Sequence, residues 1–86
     1  MARRPDPAAE GVVVAAVTPR TPAARAGLRR GDRILAINGA ALRDVIDFHV
    51  HAGDEHLRLS IAREGQARTA RLRRGAAGLG LELEAP

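Results

Sequence analysis

The chain has 86 residues, a net charge of +4 and no cysteine. That length holds one domain with a modest core, and the missing thiols exclude disulfides, thiolate metal sites and cysteine nucleophiles. All 14 basic residues are arginines, scattered along the chain without the interleaved aromatics on which single-strand binders stack, which argues against a nucleic-acid partner.

Phe48 is the only aromatic residue, so branched aliphatics must do the packing. Val12, Val14, Val17, Ile34, Ile37, Ile46, Val50, Leu57, Leu59 and Ile61 are the candidates, each worth about 1.5–3 kcal/mol when fully buried. The first ten residues, MARRPDPAAE, carry two prolines and no hydrophobic period, and they are expected to form a disordered tail over 1–10. Arg3 and Arg4 resemble the start of a signal peptide, but Pro5, Asp6, Pro7 and Glu10 follow and the apolar run Val12–Val17 is short. No stretch has the length of a membrane helix. A soluble, cytoplasmic protein without a membrane partner is expected.

The folded domain is expected over 11–84. GVVVAAVTP, β-branched and bounded by Gly11 and Pro19, predicts a buried strand. Thr21-Pro22 places a capping hydroxyl before a proline at the first helical position, and Gly27 stands where the helix ends, so TPAARAG predicts a short helix. Gly31-Asp32 turns the chain into RILAI, a second strand, and Asn38-Gly39 turns it again. Asp44 caps a second helix, VIDFHVHA, with an Ile46/Val50 pair at i,i+4 and a Val45/Phe48 pair at i,i+3. HLRLSIARE alternates as a strand with Leu57, Leu59 and Ile61 on one face. A tip at Glu64-Gly65-Gln66 leads to a returning arginine-rich strand, Ala67–Arg73. The chain then passes through RRGAAGLG into LELE, a last strand over Leu81–Glu84. These elements make an α+β plan of five to six short strands capped by two short helices.

The order strand, TPAARAGL, GDRILAING resembles the PDZ domain, element by element from Gly11 to Gly39, with Arg20-Thr21 where Gly-Ser is commoner. The resemblance implies a partly open β-barrel or sandwich and a groove that takes a peptide's free C-terminus. In that family a Gly-Leu-Gly-Phe-like loop offers its backbone N–H groups to the carboxylate, and glycines permit such a nest. Here GLGL comes last, with Leu81 in the phenylalanine position, which implies a circularly permuted PDZ domain. The resemblance then assigns Gly78, Leu79, Gly80 and Leu81, with Arg74 nearby, to the carboxylate loop. Leu81, Glu82 and Leu83 become the groove strand, beside which a peptide adds as a further strand. Val45, Ile46, His49 and Val50 become the groove face of the helix. The partner implied is the C-terminal peptide of another protein or an adjoining enzyme domain.

INGAALRDVIDFHVHAGDEHLRLSI followed by GLGLELE is also similar to the N-terminal PDZ-like domain of a bacterial radical SAM family of unknown function. That similarity implies an alternative role as an accessory domain, structural or docking, with no free-peptide binding. No iron–sulfur cysteines are present to carry its chemistry. HVHAGDEH gathers His49, His51, Asp54, Glu55 and His56, but His49 and His51 lie about 200° apart on a helix and cannot share a metal there, whereas on a strand they would share a face. Ser60 is the single serine, lies mid-strand, and has no lysine to activate it. No catalytic residue, metal or cofactor is expected, and the chain reads as a binding module rather than an enzyme.

Overall fold

The computed structural model describes residues 11–76 and 78–84; the tail expected over 1–10 lies outside them. In chain order the elements are β1 (Val12–Val17), α1 (Pro22–Arg25), β2 (Arg33–Ile37), β3 (Ala40–Ala41), α2 (Val45–His51), β4 (His56–Arg63), β5 (Gln66–Arg73) and β6 (Leu81–Leu83). The strands form an open antiparallel sheet in the order β5-β4-β2-β1-β6, with β3 attached to β2. This is the expected α+β arrangement of six strands and two short helices. The additional two-residue β3 pairs Ile37 with Ala40 across the Asn38-Gly39 turn.

Alternation sets the faces. Leu57, Leu59 and Ile61 of β4 are buried, as are Ala70 and Leu72 of β5, while Arg58 and Arg71 stand opposite one another on the outer face. A two-residue turn joins these strands in register from Arg63↔Gln66 to His56↔Arg73. Glu64 and Gly65 hold φ of 51° and 79°, the paired positive angles that match a hairpin's twist. Val12 and Val14 of β1 and Ile34 and Ile37 of β2 complete the sheet's contribution to the core, over which α2 lays Phe48 and Ala52 and α1 lays Ala23. Buried aliphatic surface of this kind is the main stabilising term for so small a domain.

One buried carboxylate braces the frame. Asp32, just before β2, is 1% exposed. Arg63 at the end of β4 grips it through Nε to Oδ1 and Nη2 to Oδ2, both 2.7 Å, and the Arg29 N–H donates to Oδ2 at 2.9 Å. The same Arg63 Nη2 donates to the Gly27 carbonyl at 2.7 Å, tying in the end of α1. Burial pushes the Asp32 carboxyl up. The hydrogen bonds from Arg63 and the Arg29 N–H, with both arginine charges, outweigh that burial and hold it below its ordinary value.

Candidate functional site

β6 closes one end of the sheet order: it pairs with β1 through Val14↔Leu83, Ala16↔Glu82 and Val17↔Leu81 and with no other described strand. An irregularity between Val14 and Ala16 shifts the register there. The Glu84 N–H donates to the Val13 carbonyl at 2.8 Å, so the attachment continues past the strand's end. The other edge of β6 faces α2 across a groove. Such an edge carries backbone donors and acceptors that an added strand satisfies.

The groove has two connected parts. A cleft of about 550 Å³ is lined by Phe48, His49, Ala52 and Gly53 from α2 and its end, and by Arg74, Leu79, Gly80 and Leu81. A second, of about 390 Å³, shares Phe48, His49 and Leu81 and adds Val45, Glu82 and Leu83. Leu79, Leu81, Leu83 and Val45 are half-buried and pack on the core, so the floor is apolar. Arg74 stands at the loop end. Beyond Leu83, a smaller cleft of about 200 Å³ places Asp44, Arg43 and Glu84 near the far end of β6.

The loop is held from beneath by its carbonyls. The Leu79 carbonyl accepts from the Ala23 N–H at 2.9 Å, and the Gly80 carbonyl accepts from the Thr18 N–H at 2.8 Å. Pro22 at the first helical position has no N–H, so the Ala23 donor is the first of α1, and the loop satisfies it. With both carbonyls committed, the N–H groups of Leu79 and Gly80 bond to no other described residue. Gly80 holds φ of +89° and sits on Thr21, whose Cβ and Oγ1 a side chain at residue 80 would overlap. Thr21 is itself fixed, donating to the Thr18 carbonyl at 2.7 Å and accepting from the Ala24 N–H at 3.3 Å as the cap of α1. The threonine-proline start of α1 is thus the seat of the loop.

Of the residues expected here, Gly80, Leu79, Leu81, Arg74, Glu82, Leu83, Val45 and His49 line the groove together. Gly78 stands apart at the loop's other end, bridged to Gly75. Ile46 and Val50 require correction: they are 72% and 69% exposed and line none of the groove. The helical period explains it. Val45, Phe48, His49 and Ala52 fall within an arc of about 100°, whereas Ile46 and Val50 lie on its flank. Phe48, Ala52 and Gly53 are the lining residues that were not anticipated, although the Val45/Phe48 spacing pointed toward that stripe.

His49 and His51 both lie in α2, and among the described residues no group of three His, Asp or Glu side chains is placed to hold a metal. Asp44 caps the helix by accepting from the Asp47 N–H at 2.9 Å, and Asp47 pairs with Arg43 at 2.9 Å. That pairing, with a hydrogen bond from the Arg43 N–H, lowers the Asp47 pKa. Both carboxylates are engaged in holding the start of α2. Among the described residues, no helix is long and apolar enough to cross a membrane.

The family model described as a PDZ domain matches residues 13–63, from β1 through the end of β4. The magnetosome formation protease MamE of Paramagnetospirillum magneticum is 42% identical over 78 residues, covering 85% of this chain and 11% of that protein. The putative serine protease HhoA of a Synechocystis species is 50% identical over 38 residues, covering 44% of this chain and 10% of that protein. The chain therefore spans about a tenth of the length of these curated relatives, and both bear the names of proteases rather than of radical SAM enzymes.

Proposed function

This chain belongs to the PDZ domain family, whose members bind peptides of partner proteins, and we propose that it binds the free C-terminus of a polypeptide in the groove between α2 and β6. The observation that carries the proposal is the loop Leu79–Gly80, its carbonyls tied down and its N–H groups unengaged by other described residues, with Arg74 lining the groove beside it. A carboxylate placed there accepts charge-assisted hydrogen bonds from successive N–H groups, with the guanidinium adding its charge. The peptide's last side chain enters the apolar space between Phe48, Ala52, Leu79 and Leu81. Its preceding residues run antiparallel to β6, because the carboxylate sits at the N-terminal end of that strand.

The proposal includes the permuted order of elements. The strand after the GLGL loop comes last in the chain, yet it lies beside β1 and across from α2, where the groove strand of a PDZ domain belongs. Catalysis is not assigned to this chain; in a longer protein resembling the protease relatives it supplies recognition, and an adjoining domain supplies the chemistry. Nothing in the groove favours the radical SAM accessory role over this one, and a cytoplasmic location stays part of the proposal only.

The test is a nuclear magnetic resonance titration of the chain with a peptide ending in a free leucine carboxylate. Saturable shifts centred on the Leu79, Gly80 and Leu81 amides and the α2 face are expected. Shifts confined to another surface, with those amides unmoved, would sink the proposal.

A further inference from the structure

A second cleft lies beside α1 and shares only Arg74 with the groove. Its volume is about 350 Å³, and four arginines line it: Arg20 just before the cap of α1, Arg25 at its last residue, Arg73 at the end of β5 and Arg74 directly after it. Among the described residues, no acidic one lines it. Arg73 pairs with Glu55 at 3.7 Å, with side chains 75% and 63% exposed. So open a pair is readily exchanged for another anion. Arg74 reaches the Asp54 carbonyl through Nε at a long 3.4 Å, and Arg20 and Arg25 form no ion pair with a described residue. Four positive charges thus converge on one concavity in a chain whose whole net charge is +4.

We infer that this cleft is a binding site for a phosphate monoester. Like charges gathered in a concavity focus field lines and raise the local concentration of a counter-ion. A single carboxylate leaves most of that charge unbalanced, whereas a phosphate monoester brings close to two negative charges and three acceptor oxygens. Guanidinium forks match those oxygens two at a time. The cleft exceeds what a bare phosphate fills and falls within the range of small-ligand pockets, about 300–1,000 Å³, so the ester's organic part also has room. The inference does not depend on peptide binding in the groove, since only Arg74 is common to the two sites.

The same chemistry reaches the site either on a soluble molecule or on a lipid headgroup. Two probes separate them: glycerol 3-phosphate in solution, and phosphatidylcholine vesicles with and without phosphatidic acid. At constant ionic strength near 0.15 M, where the Debye length is about 8 Å, glycerol 3-phosphate should give saturable shifts at the Arg20, Gly75, Ala76 and Gly78 amides. The double variant Arg20→Gln/Arg25→Gln should weaken that binding about tenfold, each lost pairing being a charge-assisted one. Arg58→Gln/Arg71→Gln, on the separate outer face of the sheet, should change it less than about twofold. Vesicle binding that requires phosphatidic acid together with Arg20 and Arg25, without soluble binding, supports the site and assigns it to lipid. If neither probe saturates, or both double variants lose binding equally, the arginines act only as diffuse charge and the inference is overturned.

Discussion

Gly80 and Thr21 should be energetically coupled, although 59 positions separate them in the chain. Gly80→Ala must hold a φ of +89° with a side chain, at about 1–3 kcal/mol for a non-glycine residue in that region. Its Cβ also enters the space of Thr21. The loop can retreat only by releasing the Leu79 and Gly80 carbonyls from Ala23 and Thr18, bonds worth about 0.5–1.5 kcal/mol each. The single variant should therefore lose about 2–6 kcal/mol. Thr21→Gly removes the obstruction while keeping an acceptable cap, at a few tenths of a kcal/mol for the cap and about 1 kcal/mol for the bond to the Thr18 carbonyl. Combined, the two should cost at least about 1 kcal/mol less than their sum, because the overlap vanishes with the threonine side chain. Urea unfolding of the four proteins gives the cycle, and each kcal/mol should move the melting temperature by about 4–8 °C in a domain this size. Additivity within about 0.5 kcal/mol would refute the packing of the loop on α1.

Three other outcomes are expected. Asp32→Asn should destabilise the fold by about 3 kcal/mol, toward the low end for breaking a buried ion pair because Arg63 retains some solvent. The folded carboxyl titrates below its ordinary 3.8, so its contribution is complete above that pH and disappears as pH falls through the lower folded value; urea midpoints of parent and variant should converge there. Phe48→Ala should lose about 3–5 kcal/mol, while Ile46→Ser and Val50→Ser should stay within about 0.5 kcal/mol and leave peptide affinity unchanged, as calorimetry would show. Finally, Glu82, Glu84 and Asp44 lie toward the groove end away from Arg74, so peptides with upstream lysine should bind about two- to fivefold tighter than those with upstream glutamate, a gap that narrows with added salt.

Much of this architecture is legible locally. Thr21-Pro22 marks the start of α1, Asp44 that of α2, and the alternation from Leu57 to Ile61 fixes the inner face of β4, because caps and strand periods are written within a few residues. The inward face of α2 is harder. A seven-residue helix bearing Val45, Ile46, Phe48 and Val50 offers two adjoining apolar flanks, and only the position of β6 selects Val45 and Phe48 over Ile46 and Val50. Contacts across long separations leave no local mark. The grip of Arg63 on Asp32 and the seating of Gly80 on Thr21 depend on tertiary placement, as does the convergence of Arg20, Arg25, Arg73 and Arg74. The GLGL segment suggested a carboxylate loop through its resemblance, while the support its carbonyls receive from Thr18 and Ala23 emerged only in three dimensions.

The most direct measurement is fluorescence polarisation of paired peptides that end in leucine, one with a free carboxylate and one amidated. Amidation removes the charge that the Leu79 and Gly80 N–H groups and Arg74 are placed to meet, and charge-assisted hydrogen bonds are worth about 1.5–3 kcal/mol each. The account predicts saturable binding of the free acid that weakens about tenfold or more on amidation. Equal affinity for the two forms, or no binding of either, would contradict it.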